Sequence, residues 1–294
     1  MSTRCTLDIA GISIALSSEA DLPIEAEGSA RKFVCADTVP ERDAEVRIHA
    51  AWGDPREPAA TDLAFDSGKG LWRFYRPRSG PCFAFTSPAL GPLPYQLASF
   101  SDDFTRGAVQ IRREVFGARL PLYPLHYPLD EVLMVHLLAQ GRGVEVHGSG
   151  VILPDGRGML FAGQSGAGKT TLSRMWLAEE GVKILSDERI IVRKENGCLW
   201  MYGTPWHGDG YIANQGRARL SRIFFLRHGE RNELVTVARS QAVARLFSCG
   251  FAPFHDAAGL DFSLQFLDDV SRLCPPDELR FLPDRSALDF VRAN

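Results

Sequence analysis

The chain has 294 residues, of which 45% are hydrophobic, enough for one large core or two smaller ones. Its 33 basic and 36 acidic residues give a formal net charge of -3, and the basic residues are scattered, so nucleic acid is not an expected partner. No apolar run approaches the roughly 20 residues that span a bilayer, and the N-terminus lacks the apolar core of a signal peptide. We therefore expect a cytoplasmic protein with no membrane partner.

The cysteines are spread along the chain without a CxxC pair or the spacing of a metal site. They are Cys5, Cys35, Cys82, Cys198, Cys249 and Cys274. A buried cysteine behaves as a small hydrophobic residue, and free thiols persist in a reducing compartment. The cysteines are therefore predicted to be core residues rather than disulfide partners or metal ligands.

Residues 1–120 contain short apolar runs separated by turn-forming stretches. The runs include TLDIAGISIAL, AEVRIHAAW, LWRFYR and CFAF, and the stretches include GDPREPAA and RPRSGP. Short apolar runs bounded by glycine and proline are typical of strands. We expect a β-rich accessory domain over residues 1–120, and no motif there indicates chemistry.

A proline-rich link, LPLYPLHYPLD, follows and is the expected boundary between two domains. The next stretch, DEVLMVHLLAQG, is mostly apolar, with acidic residues at its start and Gly141 or Gly143 at its end. Acidic residues in the first turn and a glycine after the last are typical of a helix. His136 lies inside this helix and is expected to be packed there rather than to bind a ligand.

From residue 128 to residue 294 the pattern changes to strands mixed with helices. Two apolar runs joined by the Asp155-Gly156 turn predict a β-hairpin, whose second strand leads directly into a glycine-rich loop. A helix over KTTLSRMWLAEE and a strand over VKILS come next, followed by further strands and helices. The second domain, residues 128–294, is therefore predicted to be an α/β domain.

The glycine-rich loop, GQSGAGKT over residues 163–170, matches the full G-x-x-x-x-G-K-[ST] pattern between a strand and a helix. Its glycines allow the backbone N–H groups to point at phosphate oxygens, and the helix N-terminus adds partial positive charge. A lysine can bind the β- and γ-phosphates, and a threonine hydroxyl can reach Mg²⁺. We therefore predict a nucleoside triphosphate site, with ATP and Mg²⁺ as cofactors. The predicted nucleotide-binding residues are Gly163, Ser165, Gly166, Ala167, Gly168, Lys169, Thr170 and Thr171.

An acidic pair, Asp187-Glu188, follows the first strand after the loop helix. Only one helix separates the loop from this strand. We therefore expect the strand to lie next to the one that leads into the loop, and to end beside the phosphates. One carboxylate can then hold the metal, and the other can accept a proton from an attacking hydroxyl. The alternative is a pair that only activates water.

Three features together resemble the catalytic domain of HPr kinase/phosphorylase. GQSGAGKTTLS is preceded by VHG and a hairpin, and it is followed by LSDERI. The same features are similar to the nucleotide site of ATP-dependent phosphoenolpyruvate carboxykinase, which shares that fold. The resemblance covers roughly residues 128–294. It implies an HPr kinase/carboxykinase-like P-loop domain of mixed β-sheet and helices.

The resemblance also implies roles for individual residues. Asp187 matches the acid that acts on the serine hydroxyl, so Asp187 and His147 are the predicted catalytic residues. Glu188 matches a metal ligand, although the family more often has aspartate there, and Thr170 is the second predicted ligand. Arg189 matches the arginine after the pair. His147 matches a histidine near the phosphates or metal; the alternative is a strand-end histidine held by a backbone hydrogen bond.

A second glycine-rich loop, GTPWHGDGY over residues 203–211, falls roughly where HPr kinases have a second glycine signature, without copying it. Its glycines would allow a close approach to phosphate, and Arg189, His207 and Asp209 are the predicted contacts to the acceptor. The alternative is a tight connection between strands. Near the C-terminus, LPDRSAL loosely resembles a family segment, which would bring Arg285 towards the nucleotide.

The expected function is that of an ATP- and Mg²⁺-dependent kinase that transfers the γ-phosphoryl group to a hydroxyl, with serine of a protein or peptide as the favoured acceptor. Kinases of ribosomally made peptides, including lasso-peptide precursors, are similar to this domain. HPr itself is not the expected acceptor, because the N-terminal region does not resemble that of HPr kinases. The alternatives are a small-molecule kinase and a non-catalytic nucleotide-sensing regulator. The hexamers of HPr kinases suggest a homo-oligomer as one assembly to test.

Overall fold

Two units divide the chain, one over Met1–Leu137 and the other over Leu138–Asn294. A computed structural model describes residues 2–36, 40–68, 71–164 and 166–294 of the protein. Each unit has its own mixed β-sheet, and helices accompany both sheets. The predicted α/β class is therefore confirmed.

The first unit contains an eight-stranded sheet within the described residues. Its strands are β1 (Arg4–Ile9), β2 (Ile12–Ser18), β3 (Val46–Gly53), β4 (Leu63–Asp66), β5 (Trp72–Tyr75), β6 (Cys82–Phe85), β7 (Gln96–Phe100) and β8 (Arg106–Arg112). The order across the sheet is β1-β2-β3-β8-β7-β6-β5-β4. Strand β3 runs parallel to β2 and β8, and the other neighbours are antiparallel. The N-terminal region is thus β-rich, as the sequence predicts.

Helices α1 (Arg113–Phe116) and α2 (Leu129–Ala139) follow this sheet in the chain. Short 3₁₀ helices lie over Gly28–Phe33, Glu41–Asp43, Ala60–Asp62 and Pro88–Leu90. Helix α2 ends before Gly141, whose φ of 88° lies in the left-handed region that favours glycine. His136 is buried on α2 with its Nδ1 at 2.7 Å from the Val132 carbonyl oxygen, and its ring lies 4.8 Å from the ring of Phe104. It is a packed histidine, as predicted.

The division between the units falls inside α2, later than the proline-rich link that the sequence favours as a boundary. Link residues contact the first unit. The Glu25 N–H donates to the Leu122 carbonyl over 3.0 Å, and the His126 ring stacks on Tyr95 with centroids 5.8 Å apart. The structure therefore groups residues 120–137 with the N-terminal sheet.

The second unit begins with the predicted hairpin. Its described elements are β9 (Val144–Ile152), β10 (Arg157–Ala162), α3 (Lys169–Leu177), β11 (Lys183–Ser186), β12 (Arg189–Glu195), β13 (Cys198–Gly203), β14 (Arg217–His228), β15 (Glu233–Thr236), α4 (Arg239–Cys249), β16 (Gly250–Phe251), α5 (Ala257–Leu273), β17 (Asp277–Phe281) and α6 (Ser286–Ala293). Gly156, with φ of 85°, forms the hairpin turn. The elements that the sequence predicts around the glycine loop are therefore present.

Strand β10 occupies a central place in this sheet. It pairs antiparallel with β9 on one edge and parallel with β14 on the other, and β9 reaches β14 again through β12 and β13. The pairing therefore closes into a ring. Strands β11 and β16 pair with β9, while β17 and β15 continue beyond β14. The glycine loop starts at the C-terminal end of β10, beside the end of its parallel neighbour β14.

Both faces of β10 are buried, which explains its unbroken apolar sequence. Met159 and Phe161 pack into a core shared with α3 and α6, whereas Leu160 and Ala162 pack into a core shared with α4 and α5. Alternate side chains of a strand point to opposite faces. Helices therefore cover both faces of the strand that carries the glycine loop, and this fixes the position of the loop.

Candidate functional site

The glycine loop turns sharply between β10 and α3. Gly166 and Gly168 have φ values of 83° and 98°, which other residues adopt only at a cost. A Cβ on Gly163 would lie 2.9 Å from the Cβ of Ala167, so the start and the end of the loop are in close contact. Ser165, a predicted nucleotide-binding residue, lies outside the described residues. The described glycines thus allow a tight turn between β10 and α3.

Lys169 opens α3 and folds back over the loop. Its side chain is buried, and its Nζ donates hydrogen bonds to the carbonyl oxygens of Gly163 at 2.7 Å and Gln164 at 3.0 Å. Burial lowers the pKa of the amine. The ammonium is therefore held at the loop by neutral acceptors, which an anion would outcompete.

Helix α3 is fastened to the sheet behind the loop. The hydroxyls of Ser173 on α3 and Ser149 on β9 share a buried hydrogen bond of 2.7 Å, and Trp176 is fully buried. Thr170 is half-buried and Thr171 is exposed in the first turn of the helix. The start of the helix is therefore held at the end of β10.

The strand that carries the acidic pair is not the direct neighbour of β10, contrary to the expectation from the sequence. Strand β9 lies between them, because it pairs with β10 on one side and with β11 on the other. Gly148 of β9 pairs with Ala162, and its N–H donates to the Glu188 carbonyl over 3.0 Å. The loop and the acidic pair therefore flank β9, two strand spacings or about 10 Å apart.

Ser186 shapes the turn that carries the acidic pair. Its hydroxyl accepts hydrogen bonds from the N–H groups of Glu188 and Arg189, each at 3.1 Å. The same hydroxyl donates to the Trp206 carbonyl at 2.9 Å. One buried serine therefore links the acidic turn to the second glycine loop.

Asp187 anchors the second glycine loop. Its side chain is 2% exposed, and its Oδ1 and Oδ2 accept the N–H groups of Gly208 at 3.0 Å and Gly210 at 2.7 Å. A Cβ on Gly210 would lie 2.3 Å from Oδ2, so only glycine fits this approach. Each carboxylate oxygen has a second lone pair, so Asp187 can still accept a further hydrogen bond.

Glu188 and Arg189 belong to a small ionic cluster. Arg189 Nη1 lies 2.8 Å from Glu188 Oε1, and its Nε lies 3.3 Å from Oε1 of Glu145, which is fully buried. The guanidinium also lies over the Phe251 ring, 4.4 Å from its centroid. A buried carboxylate requires a compensating charge, so Glu145 and Arg189 stabilise each other's positions.

His147 lies directly across from Arg189 in the pairing of β9 with β12. Burial lowers the pKa of the imidazole to about 4, the positive charges of Lys169 and Arg189 add to this effect, and Glu188 opposes it. The ring is therefore neutral at neutral pH. His147 lies inside β9 rather than at the end of a strand.

The second glycine loop presents its remaining polar groups at the surface. Asp209 is exposed between the two anchored glycines. His207 Nδ1 lies 3.0 Å from the Gly208 carbonyl oxygen, and its ring lies 5.0 Å from the ring of Tyr211, which is 78% exposed. The loop thus combines a fixed backbone with an exposed rim.

Arg285 does not approach the glycine loop. Its guanidinium lies 3.4 Å from Glu179, which follows the C-terminal end of α3. The glycine loop is at the other end of this helix, about 13 Å away for nine residues. The weak resemblance of LPDRSAL to a family segment therefore gave a wrong position for this arginine.

The structure brings Lys169, His147 and the acidic pair to one end of the sheet, and it adds two residues that sequence reasoning missed. Glu145 has the clearer signal, because an acidic residue stands in the apolar strand VEVH, on the same face as His147. Ser186 has no such signal, since its role depends on backbone groups that come together only in the fold.

No model of a known protein family matches this sequence, and no curated protein sequence matches it. In the described part of the chain, no three His, Cys, Asp or Glu side chains are grouped so that they could hold a metal ion. The helices described there include none that is both long and apolar enough to cross a membrane.

Proposed function

We propose that the protein is an ATP- and Mg²⁺-dependent kinase with an HPr kinase-like domain, which transfers the γ-phosphoryl group to a hydroxyl, preferably of serine in a protein or peptide. The observation that carries the proposal is the convergence of two carboxylates whose charges act on Lys169, in a loop with the full G-x-x-x-x-G-K-[ST] pattern. The point where a Cβ on Gly208 would lie is 2.2 Å from Glu188 Oε2 and 3.4 Å from Asp187 Oδ2. In the proposed transfer, one of these groups would hold the metal and the other would take the acceptor proton.

The oxygen donors near the loop suit Mg²⁺. Mg²⁺ prefers hard oxygen ligands and commonly takes only one or two carboxylates from the protein, with phosphate and water completing the shell. Thr170 Oγ1 and the Glu188 carboxylate would hold it, and the ion would neutralise charge on the phosphates. This requirement is compatible with the absence of a three-residue metal cluster in the described residues.

The chain's own residues supply the remaining steps. Lys169 would exchange its carbonyl partners for the β- and γ-phosphate oxygens. Asp187 would take the proton of the acceptor hydroxyl while the hydroxyl oxygen bonds to the γ-phosphorus and the bond to ADP breaks. His147, neutral at pH 7, would accept or donate a hydrogen bond at the reacting oxygens without adding charge.

We place this activity in the cytoplasm. All six cysteines are free thiols, which fits a reducing compartment. A homo-oligomer remains one assembly to test. Nucleic acid and membrane are not among the proposed partners.

Transfer of labelled phosphate from ATP to a cell lysate tests the proposal. We expect a labelled protein or peptide with the parent protein and none with Lys169→Ala, because this variant lacks the cation at the phosphate site. A labelled metabolite would indicate a small-molecule kinase instead. Calorimetry with Mg-ATP should also show weaker binding to Lys169→Ala, and undiminished affinity would overturn the assignment of the loop.

One observation favours the second candidate, a nucleotide-sensing regulator. The Asp187 carboxylate is almost inaccessible and already holds two backbone N–H groups, which is a structural task that needs no chemistry. A sensor would bind ATP without labelling any acceptor. ATP binding by the parent, combined with no labelled product and no hydrolysis, would therefore favour this candidate.

A further inference from the structure

A cavity of about 600 Å³ opens beside the glycine loop. It is lined by the loop itself, by residues 225–228 at the end of β14, and by Arg245, Ser248 and Cys249 at the end of α4. Small-molecule sites in proteins typically range from about 300 to 1,000 Å³. We call this space the β14 cavity. Apart from the loop itself, the described residues that line the β14 cavity are not among those proposed for phosphate transfer.

The topology places the β14 cavity on the opposite side of the loop from the acidic pair. Strand β10 has β9 on one edge and β14 on the other, and the acidic pair follows β11, which lies beyond β9. A chain of phosphates along the loop, with its terminal phosphate near Asp187, would therefore point its other end towards β14. Whatever is attached to that end would enter this cavity.

The charge of the cavity wall suits an anion. Arg227 and Arg245 both line it, at 3.7 Å and 2.8 Å from the carboxylate of Glu278. Arg280 also pairs with this carboxylate, at 2.9 Å. Burial acts to raise the pKa of Glu278, but the hydrogen bonds from Arg280 and Arg245 outweigh it and lower the pKa. Arg280 also pairs with Glu233 at 3.0 Å, so the two arginines that line the cavity have Glu278 as a shared carboxylate, which leaves an excess of positive charge at the wall.

The same wall presents flat side chains in fixed positions. The Arg245 guanidinium lies over the Phe225 ring, 4.2 Å from its centroid. The His228 ring stacks on Phe281, with centroids 5.4 Å apart and planes 30° from parallel. Guanidinium and imidazole planes held in this way are good stacking surfaces for an aromatic base.

We propose that the β14 cavity binds the nucleoside part of the triphosphate, with the base against Arg245 or His228 and the α-phosphate near Arg227. This inference rests on the proposed function, because it assumes that the glycine loop holds the phosphates. It assigns the recognition of ribose and base to the ends of β14 and α4. The resemblance in the sequence gave no residue for that task in this region.

Calorimetric titration of the full chain with Mg-ATP and with Mg-tripolyphosphate tests the assignment. Tripolyphosphate has the phosphates without the nucleoside, so the ratio of the two affinities measures what the nucleoside contributes. We expect the parent protein to bind ATP at least tenfold more tightly. Ser248→Trp should bring the two affinities within about twofold of each other, because Ser248 is exposed at the cavity and an indole there would fill it.

Two further variants guard against indirect effects. Gln241→Trp puts the same bulk on an exposed site of α4, seven residues or about 10 Å earlier, and should keep the parent ratio.

Arg227→Gln removes a charge from a side chain that is 65% exposed, so the fold should tolerate it. Its ATP affinity should fall severalfold, and the loss should shrink as salt is added.

The outcomes separate the two proposals. Equal binding of ATP and tripolyphosphate by the parent would overturn the cavity assignment and leave the phosphate loop intact. A parent-like ratio in Ser248→Trp, together with an unchanged ATP affinity in Arg227→Gln, would also overturn it. If the parent binds neither ligand, both the cavity assignment and the proposed kinase function fail.

Discussion

Asp187 is both the proposed proton acceptor and the anchor of two backbone N–H groups, and Asp187→Asn tests the first task. Loss of a positioned base typically reduces a rate by roughly 10²–10⁴, so transfer should fall by that factor. ATP affinity should change little, because Lys169, Thr170 and Glu188 remain. The oxygen of the new amide can accept one glycine N–H, but its NH₂ group then faces the other N–H and cannot accept it. The free energy of unfolding should therefore fall by about 1–3 kcal/mol. Transfer rates, calorimetry and urea unfolding measure the three effects.

Asp209→Asn is the matched control for this variant. It makes the same chemical change in the second glycine loop, at an exposed side chain. Stability should not change measurably, so the variant is a control for the stability effect; a loss of transfer here would reflect the predicted contact of Asp209 with the acceptor. A parent-like transfer rate in Asp187→Asn would exclude Asp187 as the base.

His147 gives a prediction for pH. Its pKa of about 4 lies below the value of about 6.5 for an unfolded histidine, so the unfolded chain binds more protons between these values. The contribution of His147 to stability is therefore complete above about pH 6.5 and falls as the pH is lowered towards 4. Lys169→Ala should raise the pKa of His147, because it removes a positive charge that disfavours the imidazolium. Titration of the imidazole by NMR measures both values.

Lys183→Ala provides the comparison, since this exposed lysine on β11 is not among the charges that act on His147. The His147 midpoint should be the same in this variant as in the parent. A midpoint near 6.5 in the parent would contradict the burial and the positive surroundings that the structure gives this ring.

The second glycine loop, residues 203–211, allows anchoring to be separated from base catalysis. Gly210→Ala keeps the Asp187 carboxylate but places a Cβ 2.3 Å from its Oδ2 and 3.1 Å from its Cγ. Because the carboxylate is buried, the loop must shift, and overpacking of this kind typically costs about 1–3 kcal/mol. Urea unfolding should show this loss, whereas Asp209→Ala should stay within about 0.5 kcal/mol of the parent.

The transfer rate of Gly210→Ala then decides between the two roles of Asp187. If base catalysis dominates, this variant should keep much more activity than Asp187→Asn. Equal losses in the two variants would mean that the placement of the loop, rather than proton transfer, accounts for the importance of Asp187.

Elements formed by local sequence could be predicted, and contacts formed between distant segments could not. The hairpin of β9 and β10 has an Asp-Gly turn, and α3 follows a complete glycine motif, so both are encoded within a few residues. The insertion of β9 between β10 and β11 depends on the pairing of β9 with a strand 30 or more residues later in the chain. The hydrophobic periodicity of a sequence does not show which distant strands pair. The same holds for Asp187, whose partners lie 21 and 23 residues away.

At the scale of the whole molecule, the described residues of the proposed nucleotide site lie in the second unit. A ligand at 100 times its Kd stabilises the folded state that binds it by about 2.7 kcal/mol. Some amides of the second unit exchange only when the unit unfolds globally. With a non-hydrolysable ATP analogue present at that concentration, these amides should exchange with solvent roughly 100-fold more slowly. Amides of strands β1 to β8 should exchange at unchanged rates. Hydrogen exchange of the full chain, read by mass spectrometry, measures both units in one sample.

The distribution of protection within the second unit adds a finer test. Local protection should be greatest in the glycine loop and at residues 225–228, which line the β14 cavity. Lys169→Ala, exposed to the same concentration of analogue, should lose most of both effects because its affinity is lower. Equal slowing in β1 to β8 would contradict the assignment of binding to the second unit alone.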